Sequence, residues 1–189
     1  LLRINGTLSN DWQYVRRPAL ESFPWHDIRD PETIRCGFGA NTSGNQTETA
    51  VILAGDTIGL RVGQSLDVSI YHPGPAYAYL SRSPAELESY QGDGTWFKIG
   101  QYGIVNASRW EIDSDYQEMN FTIPVTTPPG KYLFRAEQLY MLFSGLDGTG
   151  LPFMQFYINC AHIEVKGSGG GIPGPLVKFP GAYATTDRG

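Results

Sequence analysis

Few residues in this chain can do chemistry, and one of them stands in a tight turn. The run "DVSIYHPGPAYAYL" places His72 directly before Pro-Gly-Pro, and the chain has only two other histidines, His26 and His162. An imidazole can ligate a metal or carry a proton near neutral pH, but one ring alone makes no site. The two cysteines, Cys36 and Cys160, lack the short ligand spacing of a zinc site. No Gly-x-Ser-x-Gly elbow marks a serine nucleophile. The "GSGGG" tract runs into Ile-Pro-Gly-Pro, which does not open a helix whose N-terminus would cradle phosphate. The 19 Asp and Glu residues single out no pair for glycosidase chemistry. His72 therefore needs partners from elsewhere in the fold.

What could position such partners is legible in the composition. A chain of 189 residues is long enough for one domain with its own core. Twenty-three glycines and 13 prolines, with 11 tyrosines and 9 phenylalanines, predict many short strands joined by turns. The net charge of −5 argues against an extended nucleic-acid surface. No stretch approaches the ~20 apolar residues of a transmembrane segment, and the first residues lack the basic start and apolar run of a signal peptide, so any such peptide is expected to have been removed already. Five Asn-X-Ser/Thr triplets, at Asn5, Asn41, Asn45, Asn106 and Asn120, point to a secreted glycoprotein. Two cysteines in an oxidising compartment suit one disulfide, with two buried thiols as the alternative.

Apolar and polar residues alternate in "TETAVIL", "TIGLRV", "SLDVSIY", "AYAYL", "TWFKIG", "NFTIPV", "KYLFRAEQLYMLF" and "FMQFYINCAHIEV". Gly or Pro punctuates nearly every junction, and this spacing predicts an all-β sandwich. One short helix is expected at "SPAELESY", where Ser83 would cap, Pro84 would open the first turn and Glu86 would complete a capping box. The segments "SNDWQYVRRPALESFPWHDIRDPE" and "DGTGLP" read as loops. Residues 1–189 form a single domain on this reading, with 167–189 an extended segment that packs back across it. Trp12, Trp25, Trp96 and Trp110 read as packing residues, and His162 as a strand-face residue.

Eight fragments in order, "DWQYVRR", "IRC", "AGDTI", "YHPGP", "QGDGTWFK", "PPGKYLFRAEQ", "QFYINCAHIEVKG" and "KFPGAY", resemble the fungal lytic polysaccharide monooxygenases of auxiliary activity family nine. Members of that family attack cellulose and related β-glucans. The resemblance covers nearly the whole chain. It implies an immunoglobulin-like, antiparallel β-sandwich with long loops, a secreted protein, and the disulfide Cys36–Cys160.

The family holds one copper in a histidine brace. The N-terminal histidine gives its amine and its ring, a second histidine gives a third nitrogen, and a tyrosine oxygen lies axially. Nitrogen donors suit both copper oxidation states, and an open position admits oxygen species. The resemblance implies that His72 matches the second histidine, Tyr157 the axial tyrosine and Gln155 the polar residue beside it. It also implies two departures. The N-terminal histidine would fall at Leu1 or immediately before it, and Leu142 stands where the family usually has a histidine near the metal. A leucine there donates neither a hydrogen bond nor a proton, and would leave Gln155 short of a partner.

On these residues the leading expectation is a vestigial site of Leu1, His72, Leu142, Gln155 and Tyr157, with no cofactor and no oxidative cleavage. Such a protein would act as a monomeric binding, structural or accessory partner of cellulose or another β-glucan. The alternative is an active copper enzyme, with a histidine before Leu1 and with His72 and Tyr157 as ligands. A simple carbohydrate-binding module is the third reading.

Overall fold

The computed structural model describes residues 1–20, 24–63, 69–107, 109–113, 116–142 and 153–184, with the side chains of residues 141, 142 and 153 left aside. The chain runs through β1 (Leu2–Ile4), β2 (Thr7–Leu8), α1 (Pro31–Cys36), β3 (Ala50–Leu53), β4 (Thr57–Arg61), β5 (Ala76–Arg82), β6 (Trp96–Tyr102), β7 (Ile104–Asn106), β8 (Arg109–Trp110), β9 (Glu118–Thr122), β10 (Gly130–Leu142), β11 (Phe153–Lys166) and β12 (Leu176–Val177). A four-stranded sheet in the order β2-β1-β4-β9 faces a six-stranded sheet in the order β12-β6-β5-β10-β11-β3. Pairing is antiparallel except where β3 lies parallel to β11. This is the β-sandwich that the alternating pattern predicts.

Alternation places the core. In β9, Met119 and Phe121 turn inward, and in β3, Ala50 and Ile52 do. They meet Leu2, Ile58, Leu80, Phe134 and Ile163 between the sheets. The odd-numbered residues of β10 and the even-numbered residues of β11 face the opposite way. There Leu133, Leu139, Phe156, Ile158 and Cys160 pack under α1, Leu87, Trp96 and Phe179. The large sheet is thus buried on both faces. Its outer cover is stapled by Cys36–Cys160, which pins α1 to β11.

The C-terminal segment also lies on the outer face. β12 pairs with β6, and Phe179 sits 3.9 Å beneath the guanidinium of fully buried Arg135. Arg135 pairs with buried Glu137 at 2.7 Å, and the Tyr183 hydroxyl donates to the other Glu137 oxygen. Residues 185–189 lie outside the described residues.

Expectations for a helix, a loop and a strand are corrected. No helix forms at Ser83–Tyr90, where turns occur instead. The carbonyls of Leu87 and Tyr90 accept from Arg16 Nη2, each at 2.7 Å. The Tyr90 hydroxyl is held 2.6 Å from Ser81 Oγ. Ser83 Oγ instead closes a local turn, accepting from Ala85 N at 3.3 Å and donating to Ala85 O at 2.9 Å, and these contacts with the Arg16 and Ser81 bonds override the capping preference. The short helix is α1 instead, inside and just beyond a segment that reads as loop. Asp30 caps it by accepting from Glu32 N, and Pro31 opens its first turn. "SLDVSIY" forms no strand in its described residues, 69–71, and its first four residues lie outside the described ones, as does all of "DGTGLP".

Candidate metal-binding site

Strand length creates the site. β10 and β11 span 13 and 14 residues, whereas β4 and β9 opposite them span 5 each. The long hairpin therefore overshoots the small sheet. Its inner-facing positions change from core residues to polar and aromatic ones beyond Ala136. In register, Gln138 stands opposite Tyr157 and Tyr140 opposite Gln155.

The His72 turn folds over this overhang. Gly74 N donates to Ile112 O at 3.2 Å, and Leu139 N donates to Pro75 O at 2.9 Å. A Cβ on Gly74 would lie 1.9 Å from the Leu139 carbonyl oxygen, so only glycine lets the turn come this close. Gln138 Nε2 donates to the His72 carbonyl at 2.9 Å. The His72 ring stacks on Tyr140 with centroids 4.0 Å apart and planes 10° apart. The Tyr157 ring lies 5.9 Å away, tilted by 41°. Sequence reasoning brings together His72, Gln155 and Tyr157, and the fold does the same. It misses Gln138 and Tyr140. Alternation in "RAEQLYMLF" was the available signal, because it sets both residues on one face of β10.

A cleft of about 480 Å³ opens beside these groups, lined by Leu1, Trp12, Val62, His72, Gln138 and Tyr157 among others. Leu1 is almost fully buried on its wall. The Leu1 nitrogen donates to Arg61 O at 3.1 Å, which adds one rung to the ladder pairing Leu2 with Leu60. Antiparallel geometry sets the direction: chain running N-terminally from Leu1 would pass Val62 and Gly63, both on the cleft wall.

Electrostatics favour a neutral imidazole here. Burial lowers the His72 pKa, leaving a ring-nitrogen lone pair available near neutrality. Burial, and then Tyr140, raise the Tyr157 pKa, so the phenol keeps its proton. The Tyr157 hydroxyl donates to Gln155 Oε1 at 2.9 Å. Gln155 therefore has a partner whatever stands at position 142. The Leu142 side chain lies outside what is described, and its backbone pairs with Phe153 at the end of the hairpin.

The other two histidines stand apart. Exposed His26 has Nδ1 3.1 Å from Met154 O. His162 is fully buried on β11 and bonded to Arg16, which agrees with its strand-face reading. Among the described residues, no group of three or more His, Cys, Asp or Glu is placed to hold a metal. His72 and Tyr157 thus fit copper as part of a donor set, one imidazole nitrogen and one phenol oxygen. Further nitrogen ligands would have to come from outside the described side chains.

Comparisons with known proteins identify the family. Residues 2–189 match the sequence profile of Auxiliary Activity family 9, formerly GH61. The chain is 41% identical over 208 residues to AA9 family lytic polysaccharide monooxygenase U of Thermothielavioides terrestris, covering all of this chain and 77% of that protein. It is 39% identical over 191 residues to monooxygenase C of Emericella nidulans, covering 98% and 78%. Among solved structures, the extended catalytic domain of H. jecorina LPMO9A superposes with a TM-score of 0.80 at 25% identity, covering 100% and 80% of the two chains. On a profile match spanning nearly its whole length and these two relatives, the chain belongs to Auxiliary Activity family 9.

Proposed function

We propose that this chain is the polysaccharide-oxidising domain of a secreted, copper-dependent lytic monooxygenase acting on cellulose or a related β-glucan. One observation carries the reading: His72 and Tyr157 share a cleft into which the β1 ladder runs. A histidine N-terminal to Leu1 would follow that ladder toward His72 and supply the missing nitrogen donors. The departure at Leu1 then concerns the start of β1 and not the ligand itself. Copper, when bound, supplies the one-electron and oxygen chemistry that side chains lack. The protein's part is to hold His72 by the turn that Gly74 permits, to keep Tyr157 protonated beside Gln155, and to leave the cleft open to oxygen species and substrate.

A second reading has its own support in Leu142. If the histidine usual at that position is needed for turnover, the domain binds glycan without cleaving it, as an accessory or structural protein with an incomplete brace. A carbohydrate-binding module without site chemistry would behave alike on glycan. Two measurements on the secreted protein separate these readings: sequencing of its N-terminus, and mass analysis of soluble products from swollen cellulose with copper and ascorbate. Oxidised oligosaccharides with an N-terminal histidine support the first reading. Retention on cellulose without such products supports the second.

A further inference from the structure

His72 sits on a turn, not on a strand, yet two side chains of one strand grip it. Tyr140 lies flat against its ring, with centroids 4.0 Å apart and planes 10° apart. Gln138, two residues earlier on β10, is almost fully buried and donates to the His72 carbonyl at 2.9 Å. Tyr71 adds an edge-on contact at 4.9 Å. The terminal torsion of a histidine is broad and roughly two-fold, so an unsupported ring on a turn would sample many orientations. Contact on the ring face restricts that torsion. It leaves the in-plane nitrogen lone pairs uncovered, and those are what a metal uses.

We propose that Tyr140 is a positioning residue. With Gln138 it forms a two-point latch that sets the His72 imidazole in one orientation before any ligand arrives. The inference rests on the copper reading for its purpose, but the latch itself is a property of the metal-free chain. Preorganisation of this kind lowers the ordering cost at binding. Partners that orient a ligating histidine typically matter 10–100-fold in metal affinity. Tyr140 does this through its face, where most such partners bond the second ring nitrogen.

The test compares the natural protein with Tyr140→Phe, Tyr140→Leu and Gln138→Met, each checked for folding by its thermal transition. The first readout is proton–carbon NMR of the histidine rings in metal-free protein, with buried His162 as the rigid reference. Tyr140→Leu should remove the ring-current shift of the His72 ring protons and lower the ring order parameter from the rigid range to below about 0.6, while Tyr140→Phe keeps both near their natural values. Gln138→Met should lower the order parameter too, and serves if Tyr140→Leu does not fold. The second readout is Cu(II) affinity, expected to fall about 10–100-fold in Tyr140→Leu and to recover in Tyr140→Phe. An equal His72 order parameter in all four proteins would overturn the latch. Order parameters that follow the expected pattern in a protein whose natural form binds no copper would leave the latch standing and sink the copper reading instead.

Discussion

Arg16 Nε donates to His162 Nε2 at 2.8 Å, and both side chains are almost wholly buried. Such a ring can accept that bond only while neutral. Burial and then the Arg16 charge push the His162 pKa down to about 3, far below its ordinary value near 6.5. Unfolding restores the ordinary value, so between these limits the unfolded chain binds the extra proton. The contribution of this pair is complete above pH ~6.5 and is lost progressively as the pH falls toward 3, at up to ~1.4 kcal/mol per unit. Denaturant titrations across that window should show the slope. His162→Gln keeps an acceptor oxygen for Arg16 without titrating and is expected to flatten the curve. An unchanged slope in this variant would assign the acid sensitivity elsewhere.

The buried pair on the outer face predicts asymmetric mutational costs. Arg135→Met leaves Glu137 charged and sealed, which should cost about 3–5 kcal/mol in urea unfolding. Changing Arg135 and Glu137 together to apolar residues should recover most of that loss. Tyr183→Phe removes one donor to Glu137 and should cost ~1–3 kcal/mol. Burial and the Glu137 charge push the Tyr183 phenol well above its usual value, so it remains a donor throughout any working range of pH.

Removing the cross-link should be costlier. Cys36 and Cys160 lie 124 residues apart in sequence, and in the chain-entropy model a loop of that length contributes about 5 kcal/mol. Replacing both by alanine should lower the thermal midpoint markedly. Exchange should rise first in α1, which the bond pins to β11.

The five sequons are expected to differ in use. Asn45 and Asn106 are exposed. Asn120 stands within β9, its Nδ2 donating to Glu118 at 2.9 Å and its Oδ1 buried without a partner. Asn5 Nδ2 is likewise engaged, by Asp56 at 2.8 Å. Site-resolved mass analysis of the secreted protein should find Asn45 and Asn106 carrying glycan more fully than Asn120. Heavier occupancy at Asn120 would contradict this ordering.

Most of the sandwich is legible in the sequence because two-residue alternation is a local signal. β5, β6, β9, β10 and β11 all fall on runs that alternate. The helix shows the limit of local reading. Ser83, Pro84 and Glu86 carry every capping cue, yet Ser83 bonds Ala85 in a local turn, and Arg16, more than sixty residues away, fixes the Leu87 and Tyr90 carbonyls in place. At the site, His72, Gln155 and Tyr157 are recognisable because their motifs are compact. Tyr140 and Gln138 are not, since their importance depends on a turn from another part of the chain folding onto β10. The cleft is equally invisible in the sequence, because it arises from the unequal lengths of the two sheets' strands.

The proposed function makes His72 a copper ligand in a cleft that a histidine N-terminal to Leu1 would complete. Calorimetric titration of Cu(II) into the secreted protein with its native N-terminus, alongside His72→Ala, tests it most directly. One tight site is expected in the natural protein, with its loss or severe weakening in His72→Ala. No binding, or binding of equal strength in the two proteins, would contradict it.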